Sequence, residues 1–205
     1  SPAKTRVTEF EYDWAKERLA KEIIEPDSAD ASVSRVANYS YDDFGNRVST
    51  AICDGNYINS CTASTPGARH STVDFDVDGL FAVTTTNSLG QSIHTTNDAR
   101  FGVVDSTTDI NNLSASSTYD SLGRKLTSTN AHSSTATINR EWCDSSCPTI
   151  DGNQAYSKIT KLAPGAPSSI SYYDQFNRVI RKQVEGFGED GGAVELIYVD
   201  TEYDS

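Results

Sequence analysis

Turn-forming residues recur in this chain every 11 positions, and no other feature constrains its fold so tightly. From Asp76 a step of 11 lands on Asn87, Asp98, Asp109 and Asp120. Three or four residues beyond each stand Gly79, Gly90, Gly102, Asn112 and Gly123. The same Asp-x-x-Gly or Asp-x-x-Asn unit recurs out of phase at Asp42…Gly45 and Asp174…Asn177. The residues before each Asp or Asn alternate in kind (Phe75, Thr86, Asn97, Thr108, Tyr119), with an aromatic favoured at every second turn. The repeating unit is therefore about 22 residues, two turns and two strands. Asp or Asn opens such a turn by accepting backbone N–H bonds from two residues on. Gly, or Asn as second best, takes the positive φ that closes a short hairpin with a bulge.

Between the turns lie segments of strand length and chemistry: Leu80–Thr86, Gln91–Thr96, Val103–Thr108, Leu113–Tyr119 and Arg124–Asn130. Strands at this spacing, bounded by turn signals, predict an all-β, antiparallel array of hairpins. Composition agrees, since Val, Ile and Thr total 46 against 8 Leu, the balance of a sheet rather than a helix bundle. Around Asp42, Ala37, Tyr39 and Tyr41 fall on one face, with Asn38 and Ser40 on the other. Beyond the turn, Asn46, Val48, Thr50 and Ile52 share a face. Trp14–Glu25 has helix-forming residues with apolar spacing at Leu19, Ile23 and Ile24. The strand-like run Thr8, Phe10, Tyr12 into Asp13, with Arg18-Leu19 following, favours a hairpin there; a helical turn at Ala15–Arg18 is the alternative.

Three copies of the unit are fullest: Tyr41-Asp42-Asp43-Phe44-Gly45-Asn46-Arg47, Tyr119-Asp120-Ser121-Leu122-Gly123-Arg124 and Tyr173-Asp174-Gln175-Phe176-Asn177-Arg178. They resemble the YD repeats, Y-D-x-x-G-R, of the RHS family. Degenerate copies at Asn97-Asp98 and Thr108-Asp109, with Tyr12-Asp13 and Tyr203-Asp204, extend the resemblance over nearly all of residues 1–205 as a single YD-repeat segment. Asn177 departs by standing where Gly is usual, and the Tyr12 copy lacks its Gly. The resemblance implies a large secreted or surface-exposed bacterial protein whose long β-sheet spirals into a hollow shell around a toxic C-terminal domain. Insecticidal toxin complexes, polymorphic toxins and teneurins carry such repeats. This segment would be an arc of that wall, with the rest of its parent chain and an enclosed effector domain as partners. In the motif, Tyr stacks between repeats, Asp and Gly make the turn, and Arg47, Arg124 and Arg178 are candidates to pair with a nearby carboxylate. The start at Ser1, the lack of Met and the stop at Glu202-Tyr203-Asp204-Ser205 read as a piece cut from a longer polypeptide.

The remaining chemistry is sparse. Seventeen Lys and Arg against 29 Asp and Glu leave a net charge of −12, which argues against binding a phosphate backbone. No apolar run reaches the ~18 residues of a membrane span, and the first residues carry no signal-peptide core. Four cysteines form two close pairs, Cys53/Cys61 and Cys143/Cys147, inside stretches that break the 11-residue register, near 49–74 and 131–170. Local disulfides stapling two inserted loops are the favoured reading and imply an oxidising compartment. Free thiols and a four-cysteine zinc site are the alternatives, and the spacing suits zinc knuckles poorly. Asp74, Asp76 and Asp78 alternate with Val73, Phe75 and Val77, as if three carboxylates shared a strand face. Calcium is one reading of that face; a charge barrier against strand aggregation is the stronger. His70, His94 and His132 lie in Ser/Thr-rich surroundings, and no G-x-S-x-G elbow, Asp-Pro pair, phosphate loop or H-E-x-x-H marks a catalytic site. The expectation is a non-catalytic, cofactor-free wall segment; the rival is a surface module that binds carbohydrate or a cell-surface receptor.

Overall fold

The computed structural model describes residues 6–150, 152–186 and 195–203. Ser1, Asp204 and Ser205, and with Asp204 the turn residue of the last repeat, lie outside them. The chain divides into two compact units, one running through Asn97 with Thr107–Leu113 added, the other comprising Asp98–Ser106 and Ser114 onward. In the first, β1 (Thr8–Asp13), β2 (Arg18–Ile24), β3 (Arg35–Tyr41), β4 (Arg47–Asp54), β5 (Arg69–Phe75), β6 (Ala82–Thr86) and β7 (Ser92–Asp98) follow one another in chain order. After β8 (Val103–Thr108) come β9 (Ser114–Tyr119), β10 (Lys125–Thr129) and β11 (Thr135–Trp142). A side hairpin of β12 (Thr149–Ile150) and β13 (Asn153–Gln154) precedes β14 (Ser157–Ala163), β15 (Ala166–Tyr173), β16 (Val179–Gly186) and β17 (Glu195–Asp200). Within the first unit β1 to β7 lie side by side in sequence order, and within the second β9, β10, β11, β14, β15, β16 and β17 do the same with β12 and β13 standing apart; neighbours within each unit run antiparallel. The only helical turn among the described residues is the 3₁₀ segment Gly55–Tyr57. The all-β antiparallel expectation holds.

The Trp14 stretch forms the hairpin, with Thr8 opposite Ile24 and Asp13 opposite Arg18. Alternation around Asp42 also holds, because Ala37 faces Ile52 and Tyr39 faces Thr50. A bulge between Ser40 and Tyr41 then sets Tyr41 opposite Arg47 instead of Val48. Bulges recur beside the aromatics before the turns, at Glu11/Tyr12, Asp74/Phe75 and Tyr172/Tyr173. An extra residue there raises the local twist and re-aims the ring at the strand's end.

A lone sheet has nothing to bury its faces against, and two inserted segments supply a partial second layer. Residues 55–68 fold back so that Cys61, Tyr57, Ile58 and Ala68 cover Ile23, Val36, Ala51 and Cys53. In the second unit Cys147, Ile150 and Ala155 cover Tyr172 and Ile180. Cys53 is bonded to Cys61 and Cys143 to Cys147, and Asn38 Nδ2 donates to the Cys61 carbonyl at 2.7 Å, holding the first loop down. Both inserts are narrower than the 49–74 and 131–170 read from the sequence. Those ranges take in β11, β14 and most of β4, β5 and β15; the loops themselves span 55–68 and 143–156.

Away from these patches, hydroxyl rows run across the strands. Thr118, Thr127 and Thr137 stand opposite one another, as do Ser116, Thr129 and Thr135. Thr118 bonds Thr127 at 2.7 Å and Thr129 bonds Thr135 at 2.8 Å. In the first unit Thr72, Thr86 and Ser92 line up, the last two bonded at 2.8 Å. Such cross-strand pairs contribute ~0.2–1 kcal/mol each, so the uncovered strands gain side-chain cohesion that tolerates water.

Candidate functional site

The residues that repeat converge on the turns. Asp120 accepts at Oδ1 from the backbone N–H groups of Leu122 and Arg124, both at 2.9 Å, while Arg124 Nε donates to Oδ2 at 2.7 Å. Asp174 is held identically by Phe176, Arg178 and the Arg178 guanidinium, at 2.9, 2.9 and 2.7 Å. One carboxylate thus ties three donors across five residues and fixes the hairpin. Asn177, in the glycine position, sits at φ 61°, and Gly123 at 75°. The side chain of Asn serves where Gly is usual because it tolerates the left-handed region better than most.

At Asp42 the clamp differs from the reading of Arg47 as the pairing cation. Asn46, one residue earlier, occupies the motif's Arg position, donating Nδ2 to Asp42 Oδ2 at 3.0 Å and to the Gly79 carbonyl at 2.7 Å. Arg47 begins β4 and stacks its guanidinium 5.1 Å from the Tyr39 ring centroid. A missed turn extends the ladder: Asn130 accepts from His132 and Ser134, with Ser133 at φ 61° in place of glycine. The Asn ten residues after Asp120 was the signal available for it.

The electrostatics follow from the donors. Backbone N–H donation from Arg124, reinforced by its guanidinium, holds the Asp120 carboxyl below the ordinary carboxylate range. The Arg100 side chain does the same for Asp98, and the Leu113 N–H for Asp109. At Asp42 and Asp174 burial pushes upward, but the converging donors outweigh it and the net direction is down.

The tyrosines close gaps between strands. Tyr41 Oη donates to the Leu19 carbonyl at 2.9 Å, beyond the point where the β2–β3 pairing ends at Lys21–Asn38. Tyr119 Oη donates to the Val104 carbonyl at 2.7 Å and Tyr203 Oη to that of Val179 at 3.1 Å. Tyr41 and Tyr119 are half-buried at these joints; Tyr173, also half-buried, lines an open cavity, and its neighbour Tyr172 is the buried ring. Turns also stack. A Cβ on Gly79 would lie 2.5 Å from the Phe44 ring, and one on Gly123 would lie 2.9 Å from Phe101.

The proposed three-carboxylate face is not a strand face. β5 stops at Phe75, and Asp76 is the turn opener, accepting from Leu80 and Phe81. Alternating pattern ran on through the turn, which is why the sequence suggested otherwise. His70 meets the Ser49 hydroxyl at 2.9 Å, His94 meets that of Thr84 at 3.2 Å, and His132 lies in the Asn130 turn. Among the described residues no group of three His, Cys, Asp or Glu could hold a metal ion.

No family model and no curated protein matches the chain. Among solved structures it is similar to the crystal structure titled TcdB2-TccC3-TEV, at 13% identity and TM-score 0.46, over 87% of this chain and 10% of that one. It is similar to the Photorhabdus luminescens Tc holotoxin pore at 14% identity and TM-score 0.46, over 89% and 10%. Against TcdB2-TccC3 the values are 13% and 0.46, over 89% and 11%. The chain thus spans about a tenth of those chains' length.

Proposed function

We propose that this chain is a non-catalytic YD-repeat wall segment of a large secreted bacterial protein of RHS type, part of a shell that encloses an effector domain. One observation carries the reading: the residues that repeat are consumed by the sheet itself. The turn aspartates are saturated by backbone and guanidinium donors, and tyrosine hydroxyls are spent on neighbouring strands. A catalytic or ligand-binding repeat would keep such groups open to a partner; here they extend and seal a sheet. Two disulfides fit an oxidising, extracytoplasmic setting.

The test places the segment in its parent polypeptide and follows protease digestion of the enclosed domain. The intact wall should protect that domain, and breaking the clamps with Asp42→Ala, Asp120→Ala and Asp174→Ala together should expose it. Equal digestion in the two forms, or electron micrographs of the parent without a hollow particle, would overturn the assignment.

A further inference from the structure

In the second unit the column of turns is interrupted where the chain leaves the sheet at Cys143 and returns at Ser157. The interruption leaves an open cavity of about 490 Å³. Its floor comes from one face of three strands: Trp142 stands opposite Ser157, which stands opposite Tyr173, and Arg140 lies one row behind, opposite Ile159. Gln175 and Asn177, from the Asp174 turn, form a polar rim.

Two properties coincide in this cavity. The first is aromatic. Trp142 is 77% exposed and Tyr156 55% exposed, and their rings meet edge to face at 5.2 Å. A second exposed Tyr–Trp pair, Tyr12 with Trp14 at 5.4 Å, lines no such cavity among the described residues, whereas here the two rings meet beside a lining of charged and amide side chains. The second is charge. The lining holds Arg124, Arg140 and Lys158 against Glu141 and Asp174, a positive balance in a chain of net charge −12. Lys158 is paired with Glu141, and Arg124 with Asp120. Arg140 is half-buried, gives one guanidinium N–H to the Lys125 carbonyl at 2.7 Å, and makes no ion pair among the described residues.

We propose that this cavity binds an acidic glycan, a pyranose carrying a carboxylate. The apolar C–H face of the ring would stack on Trp142, its hydroxyls would bond the amides of Gln175 and Asn177, and its carboxylate would meet Arg140. A planar guanidinium suits a carboxylate because it presents paired parallel donors. A flat ring with an apolar face and a rim of hydroxyls suits an open aromatic floor with a polar rim. The site is independent of the wall reading, and its failure would leave that reading in place.

The test is isothermal titration calorimetry on the whole chain. Probes are oligomers of galacturonate, hyaluronan fragments and sialic acid oligomers, with cello- and chito-oligosaccharides as neutral arms and heparin fragments as a sulfated arm. At least one carboxylate sugar should bind saturably, and at least tenfold tighter than either neutral arm. Trp142→Ala should weaken it tenfold or more with an unchanged unfolding midpoint, as its exposure allows; Tyr156→Ala is the second aromatic variant. Arg140→Gln should erase the preference for acidic over neutral sugars, and Arg140→Lys should restore part of it. Binding confined to neutral or to sulfated sugars would overturn the carboxylate assignment. Saturable heat from none of the probes, or full affinity in both aromatic variants, would overturn the site.

Discussion

Replacing Gly79 and Gly90 separately with Ala tests whether the turns form a stacked column or merely a series of independent hairpins. Both glycines lie in the first unit and both have positive φ, 66° and 75°. They differ in surroundings: an added Cβ at Gly90 meets nothing within 4 Å, whereas at Gly79 it meets the Phe44 ring at 2.5 Å. Gly90→Ala therefore carries only left-handed strain, ~1–2 kcal/mol. A stiffer unfolded chain offsets ~0.4–1 kcal/mol of that, for a net loss near ~1 kcal/mol. Gly79→Ala carries the same strain and must also displace the ring. Overpacking of that kind costs ~1–3 kcal/mol, so the total should reach ~2–4 kcal/mol. The Phe44 ring is itself 64% exposed, so Phe44→Ala alone should cost little. In that background the two glycine variants should become equal. Urea denaturation of the five variants (the three single and the two double) and their parent measures all of this. Equal midpoints for Gly79→Ala and Gly90→Ala in the presence of Phe44 would refute the stacking of one turn on the next.

The turn aspartates also predict an acid limit. Their folded carboxyls titrate below the unfolded value, so the stability they contribute is fully present above the ordinary Asp range near ~4 and is lost as pH falls from there toward the depressed values. Thermal midpoints should be flat from pH 7 to 5 and fall together below ~4; a decline already complete at pH 5 would contradict the clamps. For the staples, a bridge of sequence separation 8 such as Cys53–Cys61 should contribute ~2.5 kcal/mol through loop closure. Its loss in the double variant Cys53→Ala, Cys61→Ala should lower the first unit's midpoint, and an unchanged midpoint would show that Asn38 and the apolar contacts hold the insert without it.

The hairpin array was legible because turn chemistry is local. An Asp that accepts N–H bonds two and four residues on, and a Gly or Asn with positive φ, write their spacing directly into the chain. Legibility failed where one residue type does another's work. Ser133 adopts the positive φ reserved for Gly, so the Asn130 turn went unseen. Asn46 replaces Arg at the clamp, so attention fell on Arg47, the nearest cation. The Asp74, Asp76, Asp78 alternation continued past the end of β5, because period-2 spacing cannot report where a strand stops. The Trp142 cavity was invisible for a different reason. Its floor joins β11, β14 and β15 across an insert whose path no local rule specifies.

The hydroxyl rows bear on how such a sheet stays folded with so little core. Buried apolar residues gather in two patches, each beneath a stapled insert, and the strands from β6 to β11 have neither. In an array where each strand touches only its neighbours, stability is close to a sum of strand and interface terms. The uncovered strands must then draw their share from what lies within each hairpin: the backbone ladder, the Asp or Asn clamp and pairs such as Thr118 with Thr127. These terms are individually near 1 kcal/mol or less, yet none requires a second layer. Threonine is suited to that position, because its branched Cβ favours the extended backbone while its hydroxyl satisfies a neighbour in water. A leucine in the same rows would demand cover. The scarcity of Leu and the abundance of Thr are thus the same fact as the single-layered sheet, seen once in the sequence and once in the fold.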